Sequence, residues 1–218
     1  MFTGIIQNQA AAISRKALKG QIRFGFRFVK PEPRKIQSGE SIAVDGVCLT
    51  VSNIIPQGFE ADIVRETLQA TTFSRLNKNG HVNTERSLRY GDSLGGHFVT
   101  GHVDACAKIL KMGKYGKNIL LTVNMPPALS PFVALKGSIV ADGISLTVQN
   151  VSAGAFKVAI VPHTWRVTTL STKKAGDFVN LEVDLVARYL RRLEDFSRSL
   201  PKRSKYKIKV KALKARGF

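Results

Sequence analysis

The hexapeptide GVCLTV at residues 46–51 returns almost unchanged as GISLTV at 143–148. Cys48 and Ser145 are thus 97 positions apart, and the offset holds well beyond the two hexapeptides. SIAVDGVCLTVSN from Ser41 overlays SIVADGISLTVQN from Ser138 without a gap, and FEADIVRETLQATTFS from Phe59 overlays FKVAIVPHTWRVTTLS from Phe156. VNTE at Val82 overlays VNLE at Val179, and TGII at Thr3 overlays TGHV at Thr100. A period of that length is too long for a stacked solenoid, and two copies are too few to build one. The chain therefore reads as one domain written twice, over 1–97 and 98–194. Residues 195–218 carry the end of a helix and a basic tail.

Each copy reads as β. SIAVDGVCLTVSNI, GFEADIV, KNILLTVNM and AFKVAIV are short runs rich in Val, Ile and Thr, bounded by Gly, Asn or Pro. Several such strands in a unit of this size predict a closed or nearly closed antiparallel barrel. LSPFVALKG at 129–137 is expected to hold a helical turn opening at Ser130-Pro131, because proline suits the first helical position. After Asp184 the period changes. Leu185, Val186, Tyr189, Leu190, Leu193 and Phe196 recur at helical spacing, which predicts one amphipathic helix over 184–196. Its apolar stripe has to be covered by the barrels or by another subunit. Past Ser199 the alternation KYKIKVKAL fits an edge strand or a disordered basic arm.

Composition enters through charge. The formal net charge is +19, which invites a nucleic-acid reading. Residues 197–218 hold nine Lys and Arg and no acid, so nearly half of that excess lies in the tail. No ladder of aromatics alternates with the charge in the body, which argues against a single-strand binding surface. No run of about 18 apolar residues predicts a membrane span, and MFTGIIQNQA lacks the features of a secretory signal. Cys48 and Cys106 give neither a disulfide framework nor metal-ligand spacing. The expected setting is cytoplasmic, with reduced thiols and no metal.

Six stretches in succession, MFTGII, GESIAVDGVCLTV, GGHFVTGHVD, KGSIVADGISLTV, VPHTWRVTTL and VNLEVDLVARYL, resemble riboflavin synthase over about residues 1–195. The resemblance implies an all-β architecture of two homologous six-stranded Greek-key antiparallel barrels followed by a C-terminal α-helix. It implies a homotrimer held by that helix, with association with lumazine synthase as a further partner. The implied reaction is a dismutation: one 6,7-dimethyl-8-ribityllumazine gives a four-carbon unit to another, yielding riboflavin and 5-amino-6-ribitylaminouracil. Two copies of one substrate must then meet face to face, which gives a duplicated chain its purpose. In the family each site pairs the first barrel of one subunit with the second barrel of a neighbour. No cofactor is implied, and no dinucleotide fingerprint stands in the sequence.

The same resemblance carries substrate contacts onto Gly4, Ile5 and Ile6, Ser41, Cys48, Leu49 and Thr50, the run Asp62, Ile63, Val64, Arg65, Glu66 and Thr67, and Gly101, His102 and Val103, as the first barrel's pocket. In the second pocket it places Lys136, Ser145, Leu146 and Thr147, with Val161, Pro162, His163, Thr164, Trp165 and Arg166. Hydroxyls and Asp62 suit a polyhydroxylated ribityl chain, and amides beside Gly4, Gly101 and Thr67 suit ring carbonyls and nitrogens. Ile6, Leu49 and Leu146 are equally fit to fill the barrels. For catalysis the reaction needs a proton taken from a 7-methyl group, and His102, which replaces Ile5 of the first copy, is the natural carrier near neutral pH. Ser145 and Thr147, aided by Asp184, are hydroxyls that can orient the donor. Cys48 is a potential nucleophile, read first as a binding residue. Trp165 and Arg166 depart from the family, which more often has Leu and an acidic or small residue there.

Two other readings stand beside this one. A non-catalytic lumazine-binding antenna protein shares the fold but loses features of the second pocket, whereas Lys136, Ser145, Thr147, His163 and Asp184 are all present here. An RNA-binding barrel rests on charge alone.

Overall fold

In the computed structural model, residues 1–199 are described, and the alternating basic tail falls outside them. The first copy forms β1 (Asn8–Leu18), β2 (Gln21–Phe28), β3 (Ser41–Val44), β4 (Val47–Ile55), β5 (Gly58–Val64) and β6 (His81–Arg86). The second forms β7 (Ala105–Tyr115), β8 (Asn118–Asn124), β9 (Ser138–Ala141), β10 (Ile144–Ser152), β11 (Ala155–Ile160) and β12 (Phe178–Val183). Both sheets close into antiparallel barrels. The circuit β1-β2-β5-β4-β3-β6 is repeated as β7-β8-β11-β10-β9-β12. Consecutive strands do not always neighbour one another, which is the Greek-key pattern. Closure leaves no sheet edge to template aggregation.

A short helix follows β5 and β11 in each copy: α1 (Arg65–Ala70) and α2 (Pro162–Val167). Neither was expected from the periodicity, because six residues are too few to show a helical stripe. The expected turn near Pro131 is a 3₁₀ helix over Pro127–Phe132, opening at Pro127 with Pro131 inside it. The final helix, α3, spans Leu185–Ser199.

Period-2 burial places one face of each strand in a core. The first core is aromatic: Phe24, Phe26, Phe59 and Phe73 are each at most 1% exposed, with ring centroids 5.4–6.2 Å apart. At the matching positions the second barrel carries Leu121, Val123, Phe156 and Leu170, so a mostly aliphatic set fills the same volume. The copies share a backbone and differ in filling, as repacked cores tolerate.

The barrels lock together by reciprocal exchange. Asn83 of β6 donates its side-chain amide to the Asp142 carbonyl (2.9 Å) and accepts from the Thr169 amide (2.8 Å). Asn180 of β12 does the same with the Asp45 carbonyl (2.8 Å) and the Thr72 amide (2.8 Å). Between these pairs Gly46 and Gly143, at φ +79° each, meet so closely that a Cβ on either would lie 2.8 Å from the other's nitrogen. Only glycine fits there. Asp45 and Asp142 are buried in the same contact, and Lys173 reaches Asp142 at 2.7 Å. The offset puts Leu76 where Lys173 stands, so one copy alone supplies the counter-charge. Burial and the neighbouring Asp142 push the Asp45 carboxyl well above the carboxylate range. Burial lowers the Lys173 ammonium, but Asp142 and Asp45 together more than offset it and hold it above its ordinary value.

Candidate active site

Alternation along β4 turns Leu49 inward, 4% exposed, and leaves Cys48 and Thr50 on the outer face. β10 repeats this, with Leu146 inward at 7% and Ser145 and Thr147 outside. Register sets Ser41 opposite Thr50 and Ser138 opposite Thr147. The chemistry-bearing side chains therefore sit on the outside of each barrel, where another segment has to form the opposite wall.

That wall comes from the other repeat. The Cys48 amide donates to the Gly101 carbonyl (2.9 Å), and the Ser145 amide donates to the Gly4 carbonyl (2.8 Å). Each Thr-Gly pair is clamped by a buried carboxylate of its own barrel. Glu85 accepts from the Thr3 amide (2.6 Å), the Thr3 hydroxyl (2.7 Å) and the Gly4 amide (2.9 Å). Glu182 accepts from the Thr100 amide (2.7 Å), the Thr100 hydroxyl (2.7 Å) and the Gly101 amide (3.0 Å). Burial pushes the Glu85 carboxyl up, with the bonds from Thr3 and Gly4 pulling against it. The two glycine amides are thus already committed, and the carbonyls face the neighbouring barrel.

Against β4 this arrangement leaves a cavity of about 310 Å³ lined by Cys48, Glu66, Thr67, Thr71, Gly101, His102 and Val103, among others. Against β10 the matching position holds a polar pair that has no counterpart at Cys48. His97 Nδ1 lies 2.7 Å from the Ser145 hydroxyl oxygen, while its Nε2 is buried without a partner among the described residues. Burial keeps the imidazole below the ordinary histidine range, although Asp184 and then Glu182 favour its charged form. In the tautomer with Nδ1 unprotonated the imidazole accepts a hydrogen bond from the serine hydroxyl and raises its nucleophilic power, and in the other tautomer Nδ1–H donates to the hydroxyl oxygen. Asp184 sits at the head of α3, where its Oδ1 accepts the Val186 amide (2.9 Å).

A family model described as the lumazine binding domain matches residues 3–87 and again 100–184. A riboflavin synthase of Brucella abortus is 40% identical over 203 residues, 91% of this chain and 100% of its own length. One of Mycobacterium tuberculosis is 41% identical over 88% of this chain and 98% of its own. One of Photobacterium phosphoreum is 37% identical over 100% of this chain and 99% of its own. The chain belongs to the riboflavin synthase family. Among solved structures, LumP complexed with riboflavin matches with a TM-score of 0.77 at 24% identity, over 84% of this chain and 99% of that one, which speaks to the fold.

The residues carried over from the riboflavin synthase family do not group as the sequence suggested. The resemblance puts Gly4, Ile5 and Ile6 in the first pocket, but the fold sets this segment at Ser145, through the Gly4 carbonyl, and Ile6 packs on the second core. Gly101, His102 and Val103 stand with Cys48. The reason is the crossing of Thr-Gly segments between barrels, which a one-dimensional overlay cannot display. Of the run Asp62–Thr67, Glu66 and Thr67 reach the first cavity. Asp62 is instead gripped by Arg23 in two bonds of 2.6 and 2.7 Å, which hold its carboxyl below the usual range. Ile63 is core at 1% exposure, and Val64 and Arg65 point to solvent.

On the second side, His163 and Arg166 line a cavity of about 310 Å³ together with Ile6, Lys30 and His81. The Thr164 carbonyl accepts the Thr168 hydroxyl (2.8 Å), and Val161 is half-exposed ahead of α2. Lys136 is exposed in the turn before β9 at φ +67° and lines neither cavity. Pro162 and Trp165 line a different cleft, with Arg166, that does not include Ser145. His97 was not singled out from the sequence. Its signal was present in GGHFVTGHVD, but the residue precedes the start of the second overlay and has no counterpart for comparison.

Proposed function

We propose that the chain is a riboflavin synthase, a transferase that dismutates two molecules of 6,7-dimethyl-8-ribityllumazine into riboflavin and 5-amino-6-ribitylaminouracil. The observation that carries this reading is the end-to-end likeness to riboflavin synthases at 37–41% identity, with both lumazine binding domains present. The reaction balances without any external oxidant, since carbon and hydrogen lost by the donor are gained by the acceptor.

Two outer-face centres of like framework and unlike chemistry, Cys48 and Ser145, suit one substrate in two roles. The Cys48 pocket, with Thr67 and His102 at its rim, offers a soft thiol and amide walls to a planar ring. The Ser145 pocket offers a hydroxyl paired with His97, able to hold or pass the proton that must leave a 7-methyl group. We assign proton handling to the Ser145–His97 pair, with His102 brought to the reacting rings from the first pocket. Asp184 tunes His97 through its charge. Thr50, Thr147 and Ser41, on the same outer faces, are assigned to the ribityl hydroxyls.

A face-to-face pairing of the two kinds of pocket calls for a second subunit, and α3 supports one. Val186, Tyr189, Leu190, Leu193 and Phe196 are each 51–64% exposed along a single face, and such a stripe is an association surface. We assign it to a homotrimer. Among the described residues no helix is long and apolar enough to cross a membrane, and both cysteines are free, which fits a cytoplasmic enzyme.

The direct test is incubation of the purified protein with 6,7-dimethyl-8-ribityllumazine alone. Growth of riboflavin emission supports the reading. Saturable lumazine binding without riboflavin would make the protein an antenna instead.

A further inference from the structure

Between α2 and the β7–β8 hairpin lies a cleft of about 330 Å³ that does not include Ser145. Its wall includes Trp165, the only tryptophan in the chain, together with Ile119 and Pro162. Its rim carries Lys114, Lys117 and Arg166, and no carboxylate lines it. All three cations are exposed, and none takes part in an ion pair among the described residues. Trp165 is partly seated on the second core and its amide donates to the Val161 carbonyl (3.0 Å), so the indole is held in place before any ligand arrives.

The other barrel provides an internal control. At the 97-residue offset Trp165 becomes Leu68, Lys114 becomes Ala17, Lys117 becomes Gly20 and Arg166 becomes Gln69. Across the positions matching this lining the first copy holds two cations, Lys19 and Arg65, and no aromatic residue. Barrel construction alone therefore does not require an indole ringed by three cations. An aromatic wall favours a planar ring by stacking, and converging cations favour a phosphate. Small-ligand pockets span roughly 300–1,000 Å³, and this one, at the lower end, has room for one base, one sugar and one phosphate.

We propose that the Trp165 cleft binds a nucleoside monophosphate, with the base against the indole and the phosphate between Lys114, Lys117 and Arg166. The site is separate from the Cys48 and Ser145 pockets, and its ligand leaves the dismutation chemistry untouched.

Because Trp165 is the sole tryptophan, its fluorescence reports this cleft directly. The full chain is titrated with AMP, and in parallel with adenosine and with inorganic phosphate. Saturable quenching by AMP is expected, with adenosine and phosphate each at least about tenfold weaker because each supplies one half of the contact. The paired substitution K114Q and K117Q is expected to weaken AMP by about tenfold or more while riboflavin formation and circular dichroism stay unchanged. Absence of saturable quenching up to about 10 mM AMP, which corresponds to a binding free energy too weak for a built site, overturns the proposal. So does equal quenching by adenosine, or an AMP response that the K114Q and K117Q chain retains in full.

Discussion

The Cys48/Ser145 exchange fixes how each pocket differs at the level of single atoms, and the decisive neighbour is His97. Its 2.7 Å contact couples one hydroxyl to an imidazole that burial keeps neutral. Ser145→Ala and His97→Gln are each expected to lower kcat by about a hundredfold, the scale of lost acid–base help, and the double variant to lose little more. Steady-state kinetics on the three variants checks this, and additive losses would show that the two residues act separately. Cys48→Ser should keep turnover within a few-fold, since the other copy works with a hydroxyl at that place. The sign with pH follows from the depressed imidazole. The folded chain resists the proton that an unfolded chain accepts near pH 6.5, so the stability lent by neutral His97 is lost as pH falls below about that value. The acid limb of kcat should lie below the ordinary histidine range and vanish in His97→Gln. What sequence made legible here was the pair of outer-face centres, because strand alternation forces Cys48 and Ser145 out when Leu49 and Leu146 go in. His97 was not legible, because nothing in a strand period indicates which loop residue crosses to the other barrel.

Among elements, α3 is held to its barrel by Arg188, which reaches Asp104 at 2.7 Å, while its apolar face stays open. Helical spacing of Leu185, Tyr189, Leu190, Leu193 and Phe196 was enough to place this helix to within a few residues, since an amphipathic stripe survives any tertiary context. The short helices α1 and α2 escaped because they carry no stripe. The Pro127–Phe132 turn was misplaced because two prolines compete for its first position. If α3 holds the proposed trimer, Leu190→Glu combined with Leu193→Glu should yield monomers in sedimentation velocity and remove most turnover, while circular dichroism is unchanged. A doubly substituted chain that sediments as a trimer would show that α3 is not the subunit contact.

Across the whole molecule the two barrels are one object. The Gly101 and Gly4 carbonyls each accept an amide of the opposite barrel, at Cys48 and Ser145, and Asn83 and Asn180 bond across the contact. Among the described residues Lys173 is the single cation set against two buried carboxylates, so Lys173→Met should cost about 3–5 kcal/mol in denaturant unfolding, the range for stranding one member of a buried pair. A loss below about 1 kcal/mol would show that the Lys173–Asp142 pair contributes little to the fold. The duplicated architecture could be read from the repeat, but its crossed walls could not, because an offset records which residues match and not which ones meet. A dismutation seated at the crossed, unequal Cys48 and Ser145 centres is tested most directly by the substrate balance. Lumazine consumed, riboflavin formed and 5-amino-6-ribitylaminouracil formed are measured together in a reaction with no added cofactor or oxidant. Two lumazines lost for each riboflavin, with an equal amount of the uracil, is the result expected. Riboflavin formed without the uracil, or lumazine bound and returned unchanged, would contradict the account.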